Sequence, residues 1–241
     1  EATSPAVARW TPPACRALGA FLRRPELPER GRGIGFGAIV GTLQLFALDL
    51  LLMTLLIAIV GLVTALGFHM PANEIDRLKL GPLVLTLIVV ILPLGEELVF
   101  RSWLSGRPGH IAAALAFVGG VAVLVLAKPQ AHPLAALGGF AAGGLLAIAF
   151  AFAFRRRRAL PSFARHFGWF YFASAIVFAL AHLTNYTQGA ALILLPLVLP
   201  QLLAGLIFGY ARVTYGLWSD MLLHMLHNGL LISLVLAQKG M

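Results

Sequence analysis

The chain has 241 residues, of which 60% are hydrophobic and only 11% charged, with a formal net charge of +9 and a mean hydropathy of +0.90. So little polar surface excludes a water-soluble domain, and the absence of ten-residue apolar/polar alternation excludes a β-barrel. The basic residues are scattered between apolar runs and not gathered on one face, so they read as topology signals, with no nucleic-acid partner expected.

Residues 1–34 hold two Pro-containing stretches and six arginines, and Pro13 to Arg24 between them has the pattern of a short amphipathic helix lying on the membrane face. The single Cys15 leaves neither an internal disulfide nor a Cys-based zinc site. No cleavable leader pattern precedes the first long apolar run, which is expected to act as its own insertion signal. Residues 35–241 form the membrane-embedded part, an all-α polytopic bundle of about seven spans. Each apolar run is long enough to cross a hydrocarbon core roughly 30 Å thick. The spacing predicts spans at 35–66, 81–104, 111–127, 134–154, 168–184, 189–211 and 217–237. The first is long enough to tilt or protrude, and Pro196 and Pro200 are expected to kink the sixth. Gly205 and Gly209 there suit close helix packing.

A cytoplasmic N-terminus puts Arg9, Arg16, Arg23, Arg24, Arg30, Arg32, Arg101, Arg107, Arg155 to Arg158, Arg165 and Arg212 inside and only Arg77, Lys79, Lys128 and Lys239 outside. That asymmetry is what the positive-inside rule requires. Fifteen of the 18 basic residues are arginine, which fits a GC-rich bacterial genome and an inner-membrane location.

Ionisable side chains inside a span cost on the order of 3 kcal/mol each, so they mark function. The second span carries Gly95-Glu96-Glu97-Leu98-Val99-Phe100-Arg101, the fifth ends Phe178-Ala179-Leu180-Ala181-His182, and the seventh contains His224-Met225-Leu226-His227-Asn228. Counted from the cytoplasmic ends, Glu96 lies about 16 Å deep, His182 about 20 Å, His224 about 10 Å and Asn228 about 16 Å at 1.5 Å per residue. One polar cavity in the cytoplasmic half accounts for that agreement. Glu97 and Arg101, four apart, share a face and neutralise each other, whereas Glu96 is turned about 100° away and left free for chemistry. Adjacent helical carboxylates do not readily share one proton, which argues against an aspartic-protease dyad. His224 and Asn228, also four apart, converge on one oxygen as an oxyanion hole requires. His227 reads as a packed, hydrogen-bonded helix residue. Asp49, near the middle of the first span, must face protein or water and reads as structural. His110, His132 and His166 fall at membrane edges and are expected to be solvated.

Taken in order, Glu-Glu-x-x-x-Arg, Phe-x-x-x-His and His-x-x-x-Asn resemble the three motifs of the CPBP (Abi) family of intramembrane proteases. That family includes CAAX-processing proteases and bacteriocin-maturation or immunity proteins. The stretch Gly205 to Arg212, followed by Gly216-Leu-Trp-Ser, is similar to the family's final segment, and the resemblance spans about residues 81–237. It implies that Glu96 and His182 activate a water while His224 and Asn228 stabilise the oxyanion of peptide-bond hydrolysis, with Glu97 and Arg101 in support. No cofactor is implied, and the partners are the bilayer and a membrane-associated protein or peptide substrate. The first and second motifs lie about 85 residues apart, more than the family pattern leads one to expect, because spans three and four intervene. An even number of inserted spans preserves the direction of the helix bearing His182. Two alternatives stay open: a zinc protease with Glu96, His182 and His224 as ligands, and a transporter, immunity protein or scaffold whose polar groups bind without cutting.

Overall fold

The computed structural model describes residues 12–73, 78–186, 189 and 191–238, and among them the fold is all-helical, with one isolated bridge between Asn73 and Tyr186. Arg9, Arg77 and Lys239, used above for topology, lie outside the described residues. We number the α-helices α1 (Pro13–Arg23), α2 (Phe36–Ala65), α3 (Pro82–Thr86), α4 (Leu92–Phe100), α5 (Pro108–Leu126), α6 (Pro133–Ala153), α7 (Pro161–Arg165), α8 (Phe167–Ala181), α9 (Ala191–Leu197), α10 (Leu199–Thr214) and α11 (Leu217–Gln238). A π-helical turn, Leu87–Ile91, joins α3 to α4, so Pro82 to Phe100 is one continuous rod. Short 3₁₀ turns follow at Ser102–Ser105 and His182–Asn185.

Proline starts most of these rods, standing in the first turn of α1, α3, α5, α6, α7 and α10. Its missing N–H costs nothing there and its fixed φ is already helical. Six helices are long and apolar enough to cross a membrane: 36–65, 82–100, 108–126, 133–153, 167–185 and 217–237. The sixth expected span, 189–211, is a broken one. Its helices α9 and α10 meet at Val198, where φ is −99° and ψ is 8° and the N–H bonds back only three residues, to Leu195 O at 3.3 Å. The kink follows from Pro200, which has no N–H to give the carbonyl of Pro196 and whose ring crowds it.

The core lies where α10 crosses α2, α8 and α11. α10 closes on α8 because Gly209 leaves room for the Tyr171 ring, whose edge a Cβ at 209 would meet at 2.9 Å. Tyr171 Oη then donates to Leu206 O at 2.5 Å. The amphipathic helix forms as expected, and it is docked on the bundle. Ala14 and Leu18 are buried, and Phe21 packs edge-on to Phe167, Tyr171 and Tyr210. α5 and α6 pack chiefly on each other, backbone to backbone at Gly120 and Gly143. Large side chains such as Leu51, Leu55, Leu115 and Ile148 point outward along the rods, as lipid-facing positions do.

Candidate active site

The site begins with a flaw in the rod that carries it. Within Leu87–Ile91 the N–H of Leu92 bonds to Leu87 O, five residues back, and residue 93 is proline. Ile88 O therefore has no backbone donor from either residue 92 or residue 93. Asn228 Nδ2 on α11 donates to it at 3.0 Å. This ties α11 to the rod just above the Glu-Glu pair.

About two and a half turns beyond Ile88, Glu97 is fully buried and ion-paired through Oε1 with Arg101, itself fully buried. The Arg101 guanidinium lies over the Phe178 ring at 4.0 Å and the Phe208 ring at 5.5 Å. Here a cation gains from the ring quadrupoles what it has lost in water. α4 ends at this point, and its last carbonyls are capped from other helices. Ser174 Oγ donates to Phe100 O at 2.6 Å, Arg212 Nε to Arg101 O at 3.1 Å and Arg212 Nη2 to Ser102 O at 2.8 Å. Such capping replaces the donors a helix end lacks.

α11 supplies the facing wall. His224 Nδ1 donates to Glu97 Oε1 at 2.7 Å, which turns Nε2 toward Glu96, 3.6 Å from its Oε2. The Glu96 side chain is 32% exposed where that of Glu97 is fully covered. Glu96 is thus the carboxylate open to a reactant. His182 ends α8, and its Nδ1 donates to Phe178 O at 2.8 Å, leaving the Nε2 lone pair free to accept a proton. Phe178 stands between the two imidazoles, its ring centroid 4.7 Å from His182 and 5.7 Å from His224.

Glu96, Glu97, Arg101 and His224 are therefore joined directly, His182 shares with His224 only the Phe178 ring packed against both, and Asn228 spends one amide N–H on Ile88 O while keeping a second. His227 and Asp49 form a separate buried pair, Nδ1 donating to Oδ2 at 2.7 Å. Each had been read as structural, but nothing in their spacing, 178 residues apart, said they were partners. His110 is not the solvated edge residue expected: it is half-buried, with Nδ1 2.8 Å from Ser105 Oγ. Asp220 escaped the sequence reading altogether. It is fully buried one turn before His224, within electrostatic reach of Glu97, Arg101 and Arg212. The available signal was its spacing: Asp220, His224 and Asn228 recur every four residues on one face. Among the described residues no three His, Cys, Asp or Glu side chains gather as metal ligands.

Residues 79–230 match one family model, described as type II CAAX prenyl endopeptidase Rce1-like. Comparison with curated proteins and with solved structures returns no significant match.

Proposed function

We propose, because the chain belongs to the Rce1-like family of type II CAAX prenyl endopeptidases, that it hydrolyses a peptide bond of a membrane-associated protein or peptide by a glutamate- and histidine-activated water. The observation that carries this reading is the approach of Glu96 Oε2 to His224 Nε2 at 3.6 Å, with Glu96 still partly open inside an apolar rod.

Water enters at the open side of Glu96. The carboxylate takes one of its protons while the oxygen attacks the scissile carbonyl, and His182 Nε2 accepts a hydrogen bond that holds the water in line. Negative charge grows on the carbonyl oxygen. His224 Nε2 and the second N–H of Asn228 face it as donors, and in a dry site such donors lower the barrier by several kcal/mol. Glu96 then returns the proton to the leaving amine as the C–N bond breaks. Glu97 and Arg101 hold His224 and the end of α4 in place and touch no reacting atom.

The test is cleavage by the purified protein in lipid vesicles, with a farnesylated peptide ending in a CAAX sequence, its unprenylated twin and a membrane extract from cells lacking the protein as substrates. Release of a C-terminal fragment by the wild type, lost in Glu96→Gln, is the expected result. Near-normal turnover by well-folded Glu96→Gln would sink this mechanism and favour a protein whose polar groups bind without cutting.

A further inference from the structure

We propose that the α5–α6 hairpin and the body of the bundle enclose a binding site for an acidic phospholipid, separate from the catalytic groups and independent of the activity proposed above. Two neighbouring cavities carry the inference. The first, of about 470 Å³, lies between α6 and the body of the bundle and is walled by apolar side chains, among them Leu98, Ala113, Ala114, Phe117 and Ala147, with Ser102, His110 and Arg212 as its polar members. The second, of about 240 Å³, lies at the loop end of the same helices and is lined by Arg30, Arg107, His110, Arg212 and Glu29. His110 and Arg212 line both.

An apolar chamber beside a basic one fits a molecule with a hydrocarbon chain and an anionic head. With Arg212 set against the buried Asp220, Arg30 and Arg107 still outnumber the single acid of the polar cavity, Glu29, and Arg107 has no acidic partner among the described residues. Arg212 spends Nε and Nη2 on the carbonyls of Arg101 and Ser102, which leaves Nη1 to a ligand; Ser105 takes Nδ1 of His110, which leaves Nε2. These donors match the unesterified oxygens of a phosphodiester. The chamber decides between a lipid and a free phosphate. α6 packs chiefly on α5, so the space between it and α4, α10 and α11 is filled by no side chain, and an apolar gap in a bilayer takes up acyl chain in preference to water. Leu98 faces away from Glu96, since it lies two positions beyond it on the same helix, about 200° round.

The test uses the full chain purified in detergent, incubated with phosphatidylglycerol or with phosphatidylcholine of the same acyl chains, and examined intact by native mass spectrometry. One phosphatidylglycerol per chain should be retained in preference to phosphatidylcholine. Arg107→Gln should weaken retention roughly fivefold, the worth of one basic side chain at an anionic membrane surface. Ala147→Trp, which fills the chamber, should abolish retention, with the melting temperature of each variant measured alongside to show that it is folded. Equal retention of both lipids, or retention unchanged in Arg107→Gln, would overturn the proposal. So would displacement of the lipid by inorganic phosphate, which would make the site an anion pocket only, or by a farnesylated peptide, which would give the chamber to the substrate.

Discussion

Glu96 and Glu97 are neighbours in the chain and opposites in environment, the first 32% exposed and facing His224 Nε2, the second covered and held by Arg101 and His224 Nδ1. Replacing each by its near-isosteric amide should separate their roles. Glu96→Gln cannot take a proton from water, so turnover should fall by about 10²- to 10⁴-fold while the amount of folded protein stays near wild type. Glu97→Gln strands the Arg101 guanidinium among Phe178 and Phe208, and breaking a buried pair costs about 3–5 kcal/mol. Its signature should be a lowered melting temperature and a reduced yield in membranes. His182→Ala should follow Glu96→Gln, because its Nδ1 is spent on Phe178 O and its Nε2 is left to hold the water. The Asp49–His227 pair gives the contrast: Asp49→Ala should destabilise on the same scale as Glu97→Gln, yet turnover per folded molecule should survive. Loss of turnover without loss of stability in Asp49→Ala would move that pair into the mechanism.

The π turn at Leu87–Ile91 exists because Pro93 removes a donor, and Asn228 fills the gap that results. Asn228 therefore does two things on this reading, holding α11 against the rod and offering an N–H to the oxyanion, and the two can be pulled apart. Asn228→Ala should lose about 10²- to 10³-fold in turnover through the missing oxyanion donor, and also about 1–3 kcal/mol of stability from the unsatisfied carbonyl. Pro93→Ala restores a backbone N–H. In the double variant the stability loss should shrink while the turnover loss persists, a coupling read from melting temperatures and rates in parallel. Recovery of turnover in the double variant would show that Asn228 acts only through the backbone. The periodicity of residues 81–104 announced a helix, and Glu97 with Arg101 announced its buried face. The π turn was illegible because it arises from the coincidence of Pro93 with Asn228, 135 residues further on, and only the folded chain brings them together.

At the scale of the whole molecule, hydropathy made the spans legible, and the three polar motifs marked most of the candidate site, since an apolar solvent leaves few places for charge. What stayed hidden was pairing across helices. Asp49 gave no hint of His227, nor Asp220 of Glu97, because long-range partners in a bundle depend on rotation and tilt that hydropathy does not encode. Direction along the bundle is a different matter, because successive rods alternate. The ends bearing Arg32, Arg107, Arg155 to Arg158, Arg165 and Arg212 fall together, tied by Arg32 N–H to Thr214 O at 2.7 Å and Leu160 N–H to Gly106 O at 2.9 Å. The turn between α5 and α6, with Lys128, falls at the other end. Translocating the arginine-rich end would carry many guanidinium groups through hydrocarbon, at about 2.5–3.5 kcal/mol each on insertion scales. The arginine-rich end is therefore expected on the cytoplasmic side, with α1 docked against it. Single cysteines at 157 and 130, both exposed loop positions, placed in a Cys15→Ser background, should react with an impermeant maleimide from opposite sides. Position 130 should label in intact cells and position 157 only after the membrane is opened. Labelling of position 157 in intact cells would invert the bundle, and with it the side from which substrate and water reach Glu96.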